Sequence, residues 1–165
     1  MNRVTGIELI EQKVGEAIGL EQAAQKVVYQ FQSRGLFKTD NERKFMNIRE
    51  EASDHEQEMN DLLKDLSESL GINIQKTQAT ARKTSAKAMK MRDAYLGDKP
   101  DRQEALEFLC LAEAAEVTHY EILRSLSKKF KAKNFGKKIK SILEEEKDHL
   151  KFCTKLVKEN IVEQD

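Results

Sequence analysis

The sequence predicts an all-α fold in which four long helices form two antiparallel hairpins, and two observations lead to this class. First, strong helix-forming residues dominate the 165-residue chain, which has 35% charged residues, one proline and no tryptophan. Second, apolar residues recur at heptad spacing in four long segments, as expected for helices that bury one face. A chain of this length can form one domain with a buried core, and we expect residues 1–165 to do so.

The first hairpin is predicted from residues 5–70. Its first helix covers 5–33, and the apolar stripe of that helix contains one carboxylate, Glu21. Its second helix covers 42–70, and the stripe there is interrupted at His55. The segment SRGLFKTDN between the helices is typical of a short turn, which makes the two helices antiparallel neighbours.

The second hairpin is predicted from residues 102–160, with helices over 102–131 and 135–160. Residues 71–101, which join the hairpins, are too many for a turn and have helical composition with few large apolar residues. We therefore expect a long crossover that carries an extra surface helix. The stripes of the second hairpin are also interrupted by polar residues, namely Glu113, Glu116, Glu146 and His149.

The interruptions are expected to lie at the same level of the fold. Two antiparallel helices joined by a short turn place residues with a constant index sum opposite each other. Residues 21 and 55 are symmetric about the first turn, and residues 113 and 149 are symmetric about the second connection. The six polar residues of the four stripes should therefore form one layer in each hairpin.

Four buried carboxylates at one level would repel each other, and each would cost several kcal/mol if it stayed ionised and unpaired. No lysine or arginine occupies the same stripe positions, whereas two divalent cations would balance the four negative charges. The two cysteines, Cys110 and Cys153, are too few for a four-thiolate site. Glu146 and His149 are three residues apart and can bind one metal together. Oxygen-rich ligation with one imidazole per metal favours two iron ions, or manganese, over zinc.

Two stretches of the second hairpin, LAEAAEVTHYEILRSL and SILEEEKDHLKFCTKL, resemble rubrerythrin-type domains and related small bacterial stress-associated proteins of the ferritin-like superfamily. The resemblance implies a ferritin-like four-helix bundle that oxidises Fe(II) or reduces peroxide in stress defence. It also implies ligand roles by position. The implied set is Glu21, His55, Glu113 and Glu116 as metal ligands, Glu146 as a bridging carboxylate and His149 as its paired imidazole.

The sequence departs from the family pattern in the second helix. Where the family has a glutamate three residues before the histidine, this chain has Ala52 before His55. Glu51, one position aside, is the expected substitute ligand, with Glu58 a turn further on as the alternative. Tyr120 is a candidate catalytic residue as a redox or hydrogen-bonding neighbour of the metals, and the alternative is core packing with a satisfied hydroxyl.

Three function classes follow from these patterns. The first is a di-metal ferroxidase or peroxidase-type oxidoreductase, for which we expect an external electron donor because we expect no iron-thiolate domain of the kind attached in rubrerythrin. The second is a metal-free or single-metal helical interaction module, for which the alanine at position 52 is the best support. The third, ranked lowest, is weak nucleic-acid binding through the basic crossover, which lacks interleaved aromatic residues. The basic residues are Lys76, Arg82, Lys83, Lys87, Lys90 and Arg92.

The expected surroundings of the protein follow from what the sequence lacks. It has no apolar run of about 20 residues and no apolar stretch typical of a secretory signal near its start. We therefore expect a cytoplasmic protein that does not contact a membrane. The resemblance implies a homo-oligomer, with a dimer favoured over larger assemblies.

Overall fold

The structure, a computed structural model, describes residues 5–163, which contain five α-helices and no strand. The all-helical class is confirmed, and so is a helix within the predicted crossover. Residues 1–4 and 164–165 of the predicted domain lie outside the described residues. Among the described helices, none is long and apolar enough to span a membrane. The helices are α1 (Gly6–Ser33), α2 (Thr39–Leu70), α3 (Ile74–Leu96), α4 (Arg102–Lys129) and α5 (Phe135–Val162).

The start of α2 is the largest difference from the predicted boundaries. The helix begins at Thr39, three residues before the predicted start at 42, because Lys38 serves as the extended N-cap residue. The residues that suggested a turn are tolerated in the first helical turn, where the carboxylate of Asp40 interacts favourably with the helix dipole. The other ends differ by at most two residues from the prediction, which is within normal fraying.

Local capping explains where several helices begin and end. α1 and α4 both start with a capping box, in which the side chain of Thr5 or Asp101 accepts a hydrogen bond from the N–H of Glu8 or Glu104. The glutamate in each box accepts a hydrogen bond from the N–H of the cap residue in return. α2 ends at Gly71, whose φ of 74° is the left-handed conformation that favours glycine.

Four of the helices form a closed ring of antiparallel neighbours, in which α1 and α5 each contact both α2 and α4. In every neighbouring pair the contacting residue numbers rise on one helix as they fall on the other. Because α2 and α4 run in the same direction, a segment of helical length must connect them, and α3 is that segment. The contacts that give the directions are Glu21–His55 and Gln32–Glu42 between α1 and α2, Glu51–His149 and Asp65–Asn134 between α2 and α5, Gln103–Asn160 and Glu113–His149 between α4 and α5, and Gly6–Phe130 and Glu21–Tyr120 between α1 and α4.

The buried apolar residues form two clusters at opposite ends of this ring. Burying each large apolar side chain contributes about 1.5–3 kcal/mol, so both clusters stabilise the helix packing. Between them lies a layer of buried polar residues, which corresponds to the interrupted level of the four stripes. One cluster includes Ile10, Ile18, Met59, Leu66, Leu123, Phe135 and Ile142, and the other includes Val28, Phe31, Phe45, Ile48, Leu106, Leu109, Cys153 and Leu156.

α3 runs parallel to α1 and packs closely against it, so the prediction of a surface helix holds for only one of its faces. Gly15 and Gly19 of α1 lie against the α3 backbone, where Thr77 and Ala81 are buried. A Cβ atom at Gly19 would lie 2.5 Å from the carbonyl oxygen of Ala81, and one at Gly15 would lie 2.7 Å from that of Thr77. The spacing of four residues puts both glycines on one face of α1, and this close approach requires the absence of side chains.

We expect Gly19→Ala to lower the free energy of unfolding by about 1–3 kcal/mol, because the new methyl group forces α1 and α3 apart. The matched control is Gly136→Ala in α5, where a Cβ atom would lie 3.6 Å from the Ser127 hydroxyl oxygen and has room. Gly136 is the second residue of α5, so the full preference of about 1 kcal/mol for alanine in a helix interior does not apply, and the control should be neutral or slightly stabilising. Chemical denaturation of both variants checks the difference, and equal stabilities would contradict the close-packing account.

Candidate metal centre

Six ionisable side chains meet in the layer between the two apolar clusters, and none is more than 4% exposed. They are Glu21, His55, Glu113, Glu116, Glu146 and His149. Two groups within this layer place three ligand atoms within 4.8 Å of one another. One group combines Glu21, His55 and Glu146, and the other combines Glu113, Glu146 and His149. Glu146 belongs to both groups and therefore connects them.

The first group is built by α1, α2 and α5. The Nδ1 atom of His55 lies 2.7 Å from Oε1 of Glu146 and 3.2 Å from Oε1 of Glu21. The hydroxyl of Tyr120, on α4, donates a hydrogen bond of 2.8 Å to the same Glu21 oxygen. Tyr120 is fully buried, and its hydroxyl thereby holds the Glu21 carboxylate in one orientation.

The second group is built by α4 and α5. The Nδ1 atom of His149 lies 3.6 Å from Oε2 of Glu113 and 3.6 Å from Oε2 of Glu146. The rings of His55 and His149 are nearly parallel, and their centroids are 6.1 Å apart. The Glu146 carboxylate therefore faces one histidine with each of its oxygens.

Each histidine also contacts a third carboxylate, on its outer side. The Nε2 atom of His55 lies 2.5 Å from Oε2 of Glu145, and the Nε2 atom of His149 contacts Oε2 of Glu51. The side chains of Glu145 and Glu51 are 50% and 45% exposed. When the imidazole is neutral, an Nε2–H donated to the outer carboxylate leaves the Nδ1 lone pair directed into the layer. The outer carboxylates thus orient both rings for metal binding.

The position of Glu51 differs from the sequence prediction, which placed it beside His55 as a substitute ligand. It contacts the outer nitrogen of His149 instead, because adjacent helical residues point about 100° apart and only position 52 faces the layer. Glu58 lies 3.7 Å from Lys138 and is also outside the layer. Ala52 is 3% exposed, so α2 presents a methyl group to the layer at this position and no carboxylate.

The outer partner Glu145 was not predicted, although a signal for it exists in the sequence. Residues 50–55 read EEASDH and residues 144–149 read EEEKDH, so the two histidine helices carry the same motif with two differences, Ala52 in place of Glu146 and Ser53 in place of Lys147. Glu51 and Glu145 are equivalent in this repeat, and each contacts the histidine of the opposite helix. Comparison of the two segments would have indicated equivalent outer carboxylates.

The layer contains more acceptor atoms than donors. Each of its four carboxylates has a buried oxygen without a hydrogen-bond partner. Buried polar atoms are normally satisfied in folded proteins, so four orphaned oxygens at one level need an explanation. A divalent cation could be this partner, because it would satisfy several carboxylate oxygens at once. The orphaned atoms are Oε2 of Glu21, Glu113 and Glu146 and Oε1 of Glu116.

Burial dominates the protonation of three carboxylates in the metal-free layer. It raises the pKa of Glu113 to about 7, and burial together with the charge of Glu146 raises the pKa of Glu21 and Glu116 well above the usual range. Burial acts in the same direction on Glu146, but its interactions with the adjacent His149 and His55 outweigh burial and lower the pKa of this carboxyl. Glu146 is therefore the most strongly ionised member of the layer.

The two histidines show the opposite balance. Burial lowers the pKa of each imidazole, but the adjacent carboxylates outweigh burial and raise the pKa of both His55 and His149 to about 11. In the metal-free protein both rings are thus cations that partly compensate the carboxylates. Metal binding would have to displace these protons, because only a neutral imidazole is a ligand.

We expect Glu116→Gln to stabilise the metal-free protein at pH 7, because glutamine removes the cost of keeping a buried carboxyl whose pKa is raised well above its usual range. Since the folded pKa of Glu116 is raised above its ordinary value of 4.5, its cost is small below pH 4.5 and grows as pH rises toward the folded pKa. Thermal melts with a chelator from pH 4.5 to 8 check this trend. Glu144→Gln, at an exposed position of α5, is the control and should change little. A gain from Glu116→Gln that is the same at every pH would contradict buried charge as its cause.

Comparisons with known proteins place the chain in a family without a described activity. No curated protein matches the chain, and no solved structure matches it. No direct match to a rubrerythrin-type family supports the finer part of the sequence resemblance. One family model covers residues 38–165, which include α2 to α5 and every residue of the layer except Glu21. The chain therefore belongs to the family described as "Domain of unknown function (DUF892)", which is generally related to ferritin-like helical proteins.

Proposed function

We propose that the protein is a ferritin-like four-helix bundle that binds two iron or manganese ions in its buried layer. The ring formed by α1, α2, α4 and α5 supports the bundle assignment, and α3 supplies the crossover between two helices of the same direction. A bundle with one long crossover is the arrangement that the ferritin-like folds use. The layer lies at mid-height between two apolar clusters, where metal sites of such bundles are built.

The observation that carries the proposal is the set of four orphaned carboxylate oxygens around Glu146. An apolar core would not retain four carboxylates for packing, because each costs several kcal/mol when it is buried and unpaired. Two divalent cations would offset four carboxylates, and two neutral imidazoles would complete the donor set. Oxygen donors with one nitrogen per metal favour iron or manganese.

The residues would hold the two metals unequally. Glu21 and His55 would bind one metal, Glu113 and His149 would bind the other, and Glu146 would bridge them. The inward position of α2 is empty of ligands because it is Ala52. Glu116, whose Oε1 atom is buried and unpartnered, would supply the remaining carboxylate from α4.

The surrounding residues prepare the layer for redox chemistry. Bound Fe(II) would supply electrons for the reduction of dioxygen or peroxide, and an external donor would restore it. Tyr120 holds the Glu21 carboxylate through its hydroxyl, which is the contact expected of a hydrogen-bonding neighbour of the metals. Glu145 and Glu51 orient the two imidazoles, and partners of this kind raise metal affinity about 10–100-fold. The two apolar clusters keep bulk water away from the layer.

We expect the wild-type chain to bind close to two Fe(II) or Mn(II) ions and to melt at a higher temperature when loaded, because ligand binding to the folded state stabilises it. Glu146→Gln should lose both metals and the rise in melting temperature, since this carboxylate is shared. Glu144→Gln, two positions away and exposed, is the matched control and should bind as the wild type does. Anaerobic titration followed by elemental analysis gives the stoichiometry. Full occupancy in Glu146→Gln, or no metal in the wild type, would refute the proposal.

Binding should be stepwise in the wild type, because the centre at His55 lacks a carboxylate from α2. We expect Ala52→Glu to tighten the weaker step, since it restores an inward ligand at the position equivalent to Glu146 in the sequence repeat. Ala52→Gln introduces a side chain of nearly the same volume as glutamate but without its negative charge, and it serves as the control. Isothermal titration with Mn(II) resolves the two steps. Identical binding by both variants would show that position 52 does not face a metal.

A further inference from the structure

An apolar pocket of about 180 Å³ lies outside the helix ring, in the space between α1, α3 and α4. α3 contacts α1 closely but contacts α4 much less, and the pocket occupies the resulting gap. Its walls are small, aliphatic or, at Phe108, aromatic, and its rim carries Met91, Tyr95 and Leu111, each more than half exposed. The walls include Leu20, Ala23, Ala24, Val27, Ala88 and Ala112.

The inner end of this pocket is formed by Glu113 and Glu116, which are its only charged lining residues. Both glutamates are 2% exposed, and each has an orphaned oxygen. The two apolar clusters cover the layer on two sides, and the half-exposed Glu145 and Glu51 border it at the histidines. The pocket therefore leads from the surface to the α4 side of the layer.

The size and lining of the pocket define which molecules suit it. An apolar cavity of about 150 Å³ stays dry and binds xenon or benzene, so a pocket of 180 Å³ suits small apolar molecules. Water and hydrogen peroxide would lose hydrogen bonds along walls that offer no donor or acceptor, which costs each of them free energy. Small anions are disfavoured as well, because the apolar walls offer no opposite charge that would offset their desolvation.

We propose that this pocket is the binding and access site for a small uncharged apolar reactant, with dioxygen as the chemical class that fits it. The inference rests on the proposed metal function, since it assigns the oxidant of that site. It distinguishes between the two reactants left open above, because dioxygen is apolar whereas peroxide is a strong hydrogen-bonding molecule. Peroxide would have to reach the layer elsewhere, such as past the half-exposed Glu145 or Glu51.

Xenon is the direct probe of the pocket and requires no metal. Amide and methyl NMR spectra of the metal-free chain under xenon pressure should show saturable shifts at pocket residues. Ala88→Leu narrows the pocket from α3, away from the polar layer, and should lose these shifts. Ala86→Leu, an exposed position on the same helix, is the matched control and should keep them. Ala24→Leu narrows the pocket from α1 and provides a second variant if Ala88→Leu does not fold.

A second readout uses the iron-loaded chain. Ala88→Leu should lose most of the rate of Fe(II) oxidation by dioxygen while it keeps its Fe(II) occupancy and its rate with hydrogen peroxide. Equal slowing with both oxidants, or no slowing with either, would overturn the access role. A chain that binds iron but no xenon would overturn the proposed access pocket and leave the proposed metal function standing. A chain that binds xenon but no iron would overturn the proposed metal function, and the access role would fail with it.

The exposed rim also permits a test of whether a second copy covers the pocket. If the mouth is open in solution, Leu111→Lys should leave both the molecular mass and the xenon shifts unchanged. A wild-type dimer that becomes a monomer in Leu111→Lys would assign the rim to a subunit interface and would overturn an open access route. Sedimentation equilibrium measures the mass.

Discussion

The burial of four carboxylates and two imidazoles in one layer is the constraint on which the rest of the structure depends. The layer separates two apolar clusters, and the burial of these clusters must offset the free-energy cost of burying the ionisable groups. Glu146 is the common member, because one of its oxygens faces His55 and the other faces His149. A bundle that served only as a packing or docking module would be more stable with apolar residues at these positions. Their presence favours a function that uses them.

The first helix contributes to this layer in two ways. It supplies Glu21 to the layer. Its glycines also allow α3 to pack closely against α1, so that α3 can connect α2 to α4 outside the ring that surrounds the layer. The close α1–α3 contact leaves α3 away from α4, and the apolar pocket opens there. Two of the basic residues of α3 form ion pairs within the chain, Lys76 with Glu11 of α1 and Arg92 with its neighbour Asp93.

Much of the fold could be predicted because heptad stripes report burial directly. Constant index sums even placed Glu21 opposite His55, since short turns leave little freedom in register. The glycine contact between α1 and α3 was missed because glycine adds nothing to an apolar stripe. The role of Glu51 was missed for a geometric reason, as a shift of one residue turns a side chain by about 100°. The contact of Glu145 with His55 was not predicted, because an exposed glutamate on a charged helix has the same sequence pattern as any solvent-facing residue until its partner across the bundle is known.

The most direct test of a two-metal layer is anomalous X-ray diffraction from crystals of the full chain loaded with Fe(II) or Mn(II). Data collected on both sides of the metal absorption edge locate the ions without reference to activity. The account predicts two peaks about 3.5–4 Å apart, one on each side of the Glu146 carboxylate and each next to the Nδ1 atom of one histidine. Absence of anomalous density in the layer, or peaks confined to surface carboxylates such as Glu51 and Glu145, would contradict it.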